Sequence, residues 1–241
     1  MHPQPGTTRN MVRCALPKTE DRSAYQAVAC PLCSCDDTHT FGSIRDPDRA
    51  RRYDRCRTCA LTFLDPHDRL DAAAERAHYD THENDVADLG YRKFLSRLAD
   101  PLLARIEPQS NVLDYGCGPG PALVALLNEN GHRAVGFDPI YAPNTDLLSR
   151  RYDAITCTET AEHFFNPATE LARLFGLLRS RGWLAIMTSE LTDDDRFARW
   201  HYRADPTHVC FYRAETFDWI ARRFGAELVR PRQNVALFQT P

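Results

Sequence analysis

No apolar run in the sequence approaches the ~18 residues that would span a bilayer. Met1 to Thr8 also lack the apolar stretch of a signal peptide. A membrane association is therefore not expected, and a cytoplasmic location is. Charge of one sign is scarce too: 30 Lys+Arg against 33 Asp+Glu leave a net −3, which gives no general attraction to nucleic acid. The G-x-G-x-x-G spacing of dinucleotide folds is missing, and so is the G-K-[ST] of a triphosphate loop. What is plentiful is cysteine. Nine cysteines are many for a reducing compartment, where metal binding is their more usual employment than disulfides. A chain of 241 residues, 43% hydrophobic and of mean hydropathy −0.49, suits one medium domain plus a small module.

Four cysteines form two knuckles, Cys30-Pro-Leu-Cys33 and Cys56-Arg-Thr-Cys59. Such pairs supply four thiolates at tetrahedral zinc spacing, a closed set with no open position, hence structural. Short strand-like pieces between them (residues 40–45, 52–54 and 61–64) predict a zinc ribbon over residues 28–67, stapled by the ion. Cys35 and His39 are alternative ligands; Cys14, Cys117, Cys157 and Cys210 read as ordinary small side chains. Arg45, Arg49, Arg51, Arg52, Arg55 and Arg57 make the module locally basic against Asp46, Asp48 and Asp54. That face suits RNA phosphates or, more ordinarily, solvent. Residues 1–27 show no periodicity and read as a loosely ordered tail.

The most informative run is Val112-Leu-Asp-Tyr-Gly-Cys-Gly-Pro-Gly120. An apolar strand ends in Asp114, a turn follows with glycines at 116, 118 and 120, and a helix opens at Pro121. Glycines there let the backbone turn sharply and approach a ligand closely. Asp114 disfavours a pyrophosphate and favours a ligand with amino or sulfonium charge. A second strand, residues 133–138, ends in Asp138. An acid about 20 residues beyond the glycines is where a ribose diol is held; a turn-capping aspartate before Pro139 is the alternative. Strand four (152–157), a helix (167–178), a turn near Gly182, strand five (183–188), a helix (216–224) and a terminal strand pair complete a doubly wound α/β sheet, mostly parallel and Rossmann-like. Too few residues separate Asp138 from Asp153 for a complete third strand.

These residues resemble motif I and its neighbours in class I S-adenosylmethionine (SAM)-dependent methyltransferases, over residues 109–241. The resemblance implies SAM as cofactor, held by Asp114, Gly116, Cys117, Gly118, Gly120 and Asp138. Residues 68–108 would be a helical cover, from which Tyr79, His82, Tyr91 and Arg92 are candidates to line the cavity, Tyr79 beside the cofactor. Zinc ribbons joined to such domains occur among sugar C-methyltransferases and ribosomal RNA base methyltransferases.

Strand four leads into Glu159-Thr-Ala-Glu162-His163, and Asp205-Pro-Thr-His208 lies far downstream. E-x-x-E-H with a distant histidine looks like the magnesium site of small-RNA 2′-O-methyltransferases and ubiquinone-pathway O-methyltransferases. By that resemblance Glu159, Glu162, His163 and His208 would hold Mg or another divalent ion that activates a hydroxyl. In the plainer alternative Glu162, His163 and His208 act as acid and base, or as pocket walls. Trp200, His201, Tyr202 and Arg203 suggest an aromatic, cationic wall. The expected function is methylation of a small molecule. An RNA methyltransferase using the ribbon to bind its substrate and a non-catalytic SAM-binding protein are the alternatives.

Overall fold

A computed structural model describes residues 28–45, 50–81 and 85–241. The tail at 1–27 with Cys14, and Asp46, Asp48, Arg49 and His82, fall outside the described residues.

Strands β1 (Thr38–Arg45), β2 (Ala50–Cys56) and β3 (Thr62–Leu64) form an antiparallel meander carrying the cysteine knuckles. Helix α1 (Ala72–Tyr79) is N-capped by Asp71, whose carboxylate accepts from the amides of Ala73 and Ala74. Helix α2 (Leu89–Leu103) is capped the same way by Asp88. It buries Leu95, Leu98, Ala99 and Leu102, the period expected of one apolar stripe. The break foreseen near residues 84–90 thus separates two capped helices.

Beyond them lie β4 (Asn111–Tyr115), α3 (Ala122–Glu129), β5 (Arg133–Phe137), β6 (Tyr152–Thr158), α4 (Pro167–Leu177) and β7 (Leu178–Met187). A short helix α5 (His201–Ala204), the two-residue β8 (Cys210–Phe211), α6 (Ala214–Phe224), β9 (Glu227–Arg232) and β10 (Val235–Gln239) complete the chain. The large sheet has the order β5-β4-β6-β7-β10-β9. Its first four strands are parallel, and β10 is antiparallel to both β7 and β9. Between β5 and β6 there is only a bridge from Asp138 to Ala142 and a 3-10 turn at Thr145–Ser149. The third strand is absent, so β5 is an edge.

Neighbouring residues on each strand serve opposite faces, as pleating requires. Val112, Ala154, Ala185 and Leu237 pack under α2 and α3. Leu113, Ile155, Leu184 and Phe238 pack with Leu171 of α4 and Phe217 of α6. This second core continues without interruption into Tyr53, Phe63 and Leu64 of the small sheet.

Two features differ from the sequence reading. The turn near Gly182 is an irregularity inside one ten-residue strand. Arg181 takes a left-handed φ of 59°, and a Cβ on Gly182 would lie 2.8 Å from the Arg179 carbonyl. The module at 28–67 does not close its own sheet. Its fourth strand is β8, with Thr62 opposite Phe211 and Phe63 opposite Cys210. A two-residue strand has no readable period, so only the fold reveals it.

Candidate functional site

The four knuckle cysteines converge. Cys30 and Cys59 Sγ are 3.5 Å apart and Cys33 and Cys56 Sγ 3.4 Å apart, with all four within 4.8 Å of one another. Zinc bonds of about 2.3 Å would set tetrahedral sulfurs about 3.8 Å apart, so the set fits that ion with little movement. The Cys59 thiol, hydrogen-bonded to Cys30, draws the Cys30 thiol down to about 6, whereas burial pushes Cys33 up to about 12. Cys35 stands outside the set, accepting from Thr58 Oγ1 at 3.1 Å, and His39 is not part of it either.

The module's arginines are largely committed. Arg52 forks onto Asp54 at 2.7 and 2.8 Å, Arg55 onto Asp194 at 2.7 and 2.9 Å, and Arg57 pairs with Asp37. Arg51 is buried and donates to the carbonyls of Ala204 and Asp205.

The principal cavity, about 1130 Å³, opens along the carboxyl ends of β4, β5 and β6. The glycine turn forms one end. Gly116 has φ 81° and Gly118 φ 63°, and a Cβ on Gly116 would lie 2.3 Å from the Thr160 methyl. Glycine is required there by both backbone and space. Gly116, Cys117 and Gly118 line the cavity; Gly120 does not. Asp138 lines it too and uses both carboxylate oxygens. Oδ1 accepts from Ile140 and Tyr141 N, and Oδ2 accepts from Gly118 N at 3.1 Å. The turn-capping contacts therefore exist, and the same carboxylate ties the second strand to the glycine turn.

Asp114 is placed otherwise than the sequence suggests. It does not line the cavity. Its side chain lies beneath the floor, accepting from Thr156 Oγ1 at 2.7 Å, and burial pushes its carboxyl up to about 7.

At the other end Glu162, His163 and His208 come within 4.8 Å of one another. Glu162 and His163 sit on a single 3-10 turn, Ala161–His163, directly after β6. The chain around β8 pins that turn: Val209 N donates to the Glu162 carbonyl, and the Tyr212 hydroxyl donates to the Ala161 carbonyl. His163 Nδ1 donates to the Thr207 carbonyl at 3.1 Å and His208 Nδ1 to the Tyr202 carbonyl at 2.6 Å. Both rings are thereby oriented with Nε2 towards Glu162 Oε1, at 3.9 and 4.0 Å. Glu162 is fully buried; Oε1 accepts from the Tyr202 hydroxyl at 2.5 Å, while Oε2 has no partner. Burial raises the Glu162 carboxyl and lowers His208. Glu159 is not in this set. It lines the same cavity, with φ 46°.

Tyr79 lies against His163, ring centroids 5.3 Å apart, and donates to Glu75. It therefore belongs to the Glu/His end, away from the glycine turn. Tyr91 lines the cavity, whereas Arg92 instead pairs with Glu129. The cationic wall does not form. His201 and Tyr202 reach the cavity, but Arg203 is buried against the Ala198 carbonyl and Trp200 packs on Phe197 and Phe211. Asp205 was not singled out from the sequence as a site residue. It lines the cavity and accepts from His78 at 3.2 Å, and bonds from Thr207 together with His208 hold it at about 2 despite its burial.

Residues 87–230 match the family described as a methyltransferase domain, and the chain belongs to that family. It is a methyltransferase. Its fold is similar to that of a 1,6-didemethyltoxoflavin N1-methyltransferase from Burkholderia thailandensis, solved with 1,6-didemethyltoxoflavin and S-adenosylhomocysteine. That protein is 19% identical, with 81% of this chain and 96% of that chain covered at a TM-score of 0.51. A magnesium protoporphyrin IX methyltransferase from Synechocystis with bound S-adenosylhomocysteine is 16% identical over 69% of this chain and 92% of that one, at a TM-score of 0.46. No curated protein sequence matches. Among the described residues no helix is long and apolar enough to cross a membrane.

Proposed function

We propose that the protein transfers the methyl group of SAM to a polar atom, a hydroxyl by preference, on a small molecule held beside Glu162, His163 and His208. The observation that carries this reading is that one cavity is lined by both the glycine turn and that cluster. Methyl transfer needs the acceptor held in line with the sulfonium at near-attack distance, and a cavity of about 1130 Å³ has room for both.

Both imidazoles have their Nδ1 protons committed to carbonyls, so each presents an Nε2 lone pair inwards. The bare Oε2 of Glu162, buried without a hydrogen bond, is the chemical gap a cation or a donor group would fill. Glu162, His163 and His208 would hold a divalent ion, and their carbonyl-anchored rings are the arrangement found behind metal-bound histidines. Ligand bonds of about 2.1 Å set neighbouring donors about 3.0–3.4 Å apart, so each imidazole would close on Glu162 by about half to one ångström. When bound, the ion lowers the pKa of an acceptor hydroxyl. His163 and His208 accept the acceptor's proton in its absence, and Tyr202 holds Glu162 in place throughout. One carboxylate with two imidazoles favours Mn, Fe or Zn over Mg.

Gly116, Cys117 and Gly118 would receive the methionine part of SAM, and Asp138 the ribose. Cys30, Cys33, Cys56 and Cys59 would hold a structural zinc. The pairing of Arg52, Arg55 and Arg57 with aspartates supports a small-molecule acceptor over RNA. The test is transfer from methyl-labelled SAM to a cell extract with and without ribonuclease. Label that persists on low-mass compounds supports the reading, and label lost to ribonuclease contradicts it. Elemental analysis is expected to give one zinc per chain, plus a second ion that Glu162→Gln removes.

A further inference from the structure

We infer that α1 is a lid over the cavity, and that Tyr141 is the positioning residue that fastens it, through Asp80, to the loop carrying Asp138. The inference rests on the reading of the cavity as a site for the methyl donor and its acceptor.

Helix α1 turns one face to the cavity. Ala72, Glu75, Arg76 and Tyr79, at the i, i+3, i+4, i+7 spacing of a single helical stripe, all line it. In a helix packed on a core that stripe is apolar and buried. Here none of the eight residues is buried, and none joins either apolar core. A helix of two turns is marginal in water by itself, so α1 keeps its place through what holds its ends. Before it, Arg69 donates to the Phe165 carbonyl at 3.1 Å. At its far end His78 donates to Asp205 at 3.2 Å, the Tyr79 ring lies against His163, and Asp80 accepts from the Tyr141 hydroxyl at 2.8 Å.

The Tyr141 contact differs from the others because it leads to another part of the cavity. Tyr141 N donates to Asp138 Oδ1 at 3.0 Å, and Asp138 Oδ2 accepts from Gly118 N. Paired backbone bonds between Asp138 and Ala142, 3.1 and 3.0 Å long, close the loop between them. Tyr141 thus stands on a braced loop tied to the glycine turn, and its hydroxyl reaches the chain where α1 ends. Asp80 is exposed, and a hydrogen bond open to water contributes little net free energy. A helix with few buried contacts and so light a fastening opens at low cost. A nucleoside lying between the Asp138 loop and the α1 stripe touches the docked helix and loses those contacts when the helix lifts. It therefore shifts α1 towards the closed position. Closure holds Tyr79 against His163 and completes the wall beside the acceptor.

The experiment is hydrogen–deuterium exchange of the α1 amides with and without S-adenosylhomocysteine, paired with the dissociation rate of that nucleoside. The proteins are wild type, Tyr141→Phe, Asp80→Ala, Asp80→Asn and the Tyr141→Phe, Asp80→Ala double variant. In wild type the nucleoside is expected to slow α1 exchange by about tenfold. Tyr141→Phe and Asp80→Ala are each expected to raise α1 exchange and nucleoside dissociation by about fivefold, and together by no more than either alone. Asp80→Asn keeps an acceptor oxygen and is expected to behave as wild type. Melting temperatures without nucleoside are expected to stay within about 2 °C of wild type, which separates loss of the fastening from general damage. Wild-type α1 amides that exchange as slowly as those of α3 and ignore the nucleoside would overturn the lid. Unchanged dissociation in Tyr141→Phe, or additive effects in the double variant, would remove Tyr141 from the fastening. Wild type that binds no S-adenosylhomocysteine would overturn the donor reading instead. Exchange in its absence still reports on the Tyr141–Asp80 bond, so the two failures are distinguishable.

Discussion

The two ends of the cavity are built in different ways. The glycine end comes from a few neighbouring residues: Gly116, Cys117 and Gly118 on one turn, joined to Asp138 by the Gly118 amide. Its geometry is set by backbone conformation and by the close approach of Thr160. The Glu/His end is assembled from Tyr79 on α1, Glu162 and His163 after β6, Tyr202 on α5, and Asp205 and His208 beyond it. These segments are distant in sequence and are held by long-range bonds, including the β3–β8 pairing that borrows the cysteine module. A donor common to many enzymes can be met by a compact, locally encoded cradle. The acceptor end, where enzymes of one fold differ, is made of replaceable side chains on separately supported segments.

The largest expected effect comes from breaking the local end. Gly116→Ala places a Cβ against Thr160 at a φ disfavoured for other residues. Calorimetry with S-adenosylhomocysteine is expected to show an affinity loss on the order of 100-fold. Thr160→Ala in the same protein relieves the steric part and restores only some of it. Next is the distant end: Glu162→Gln is expected to lower kcat by about 10²-fold or more, with S-adenosylhomocysteine binding within about threefold of wild type. A parallel loss of binding would mean that the two ends are not separable.

The cysteine module gives a third, intermediate effect. Cys56→Ser, which removes one ligand of the proposed zinc, is expected to lower the melting temperature and to impair turnover more than cofactor binding, because β3 supports the chain next to His208. Turnover and binding that fall together would make the module a general support only.

The smallest effect concerns Asp114. Burial raises its carboxyl to about 7 in the fold, whereas an unfolded aspartate titrates near 4. The folded chain therefore holds a proton that the unfolded chain releases, and the group lowers stability progressively as pH rises from about 4 to about 7. Asp114→Asn is expected to raise the melting temperature at pH 8 by several degrees, at about 2–4 °C per kcal/mol for a chain of this size, and to change it little at pH 4. Equal shifts at both values would contradict a buried, protonatable aspartate.

The same contrast explains what the sequence disclosed. The strand–turn–helix at 112–129, the acid at Asp138 and the shortened segment after β5 were legible because each is encoded by adjacent residues. So was the convergence of the four cysteines, since two knuckles fix their own spacing. The destination of Asp114 was not legible, because facing the cavity or the floor depends on Thr156 across the sheet. Nor was the convergence of Glu162, His163 and His208 without Glu159. The burial of Arg203 and the place of Asp205 in the cavity were hidden for a similar reason: a four-residue helix offers no period long enough to orient its neighbours.

The most direct test is titration of S-adenosylhomocysteine into wild type and Glu162→Gln, paired with turnover of labelled SAM by each. Binding of one nucleoside per chain to both proteins, with turnover confined to wild type, is the result expected of a cavity with separate donor and acceptor ends. Absence of any heat with wild type at millimolar nucleoside, or turnover undiminished in Glu162→Gln, would contradict it.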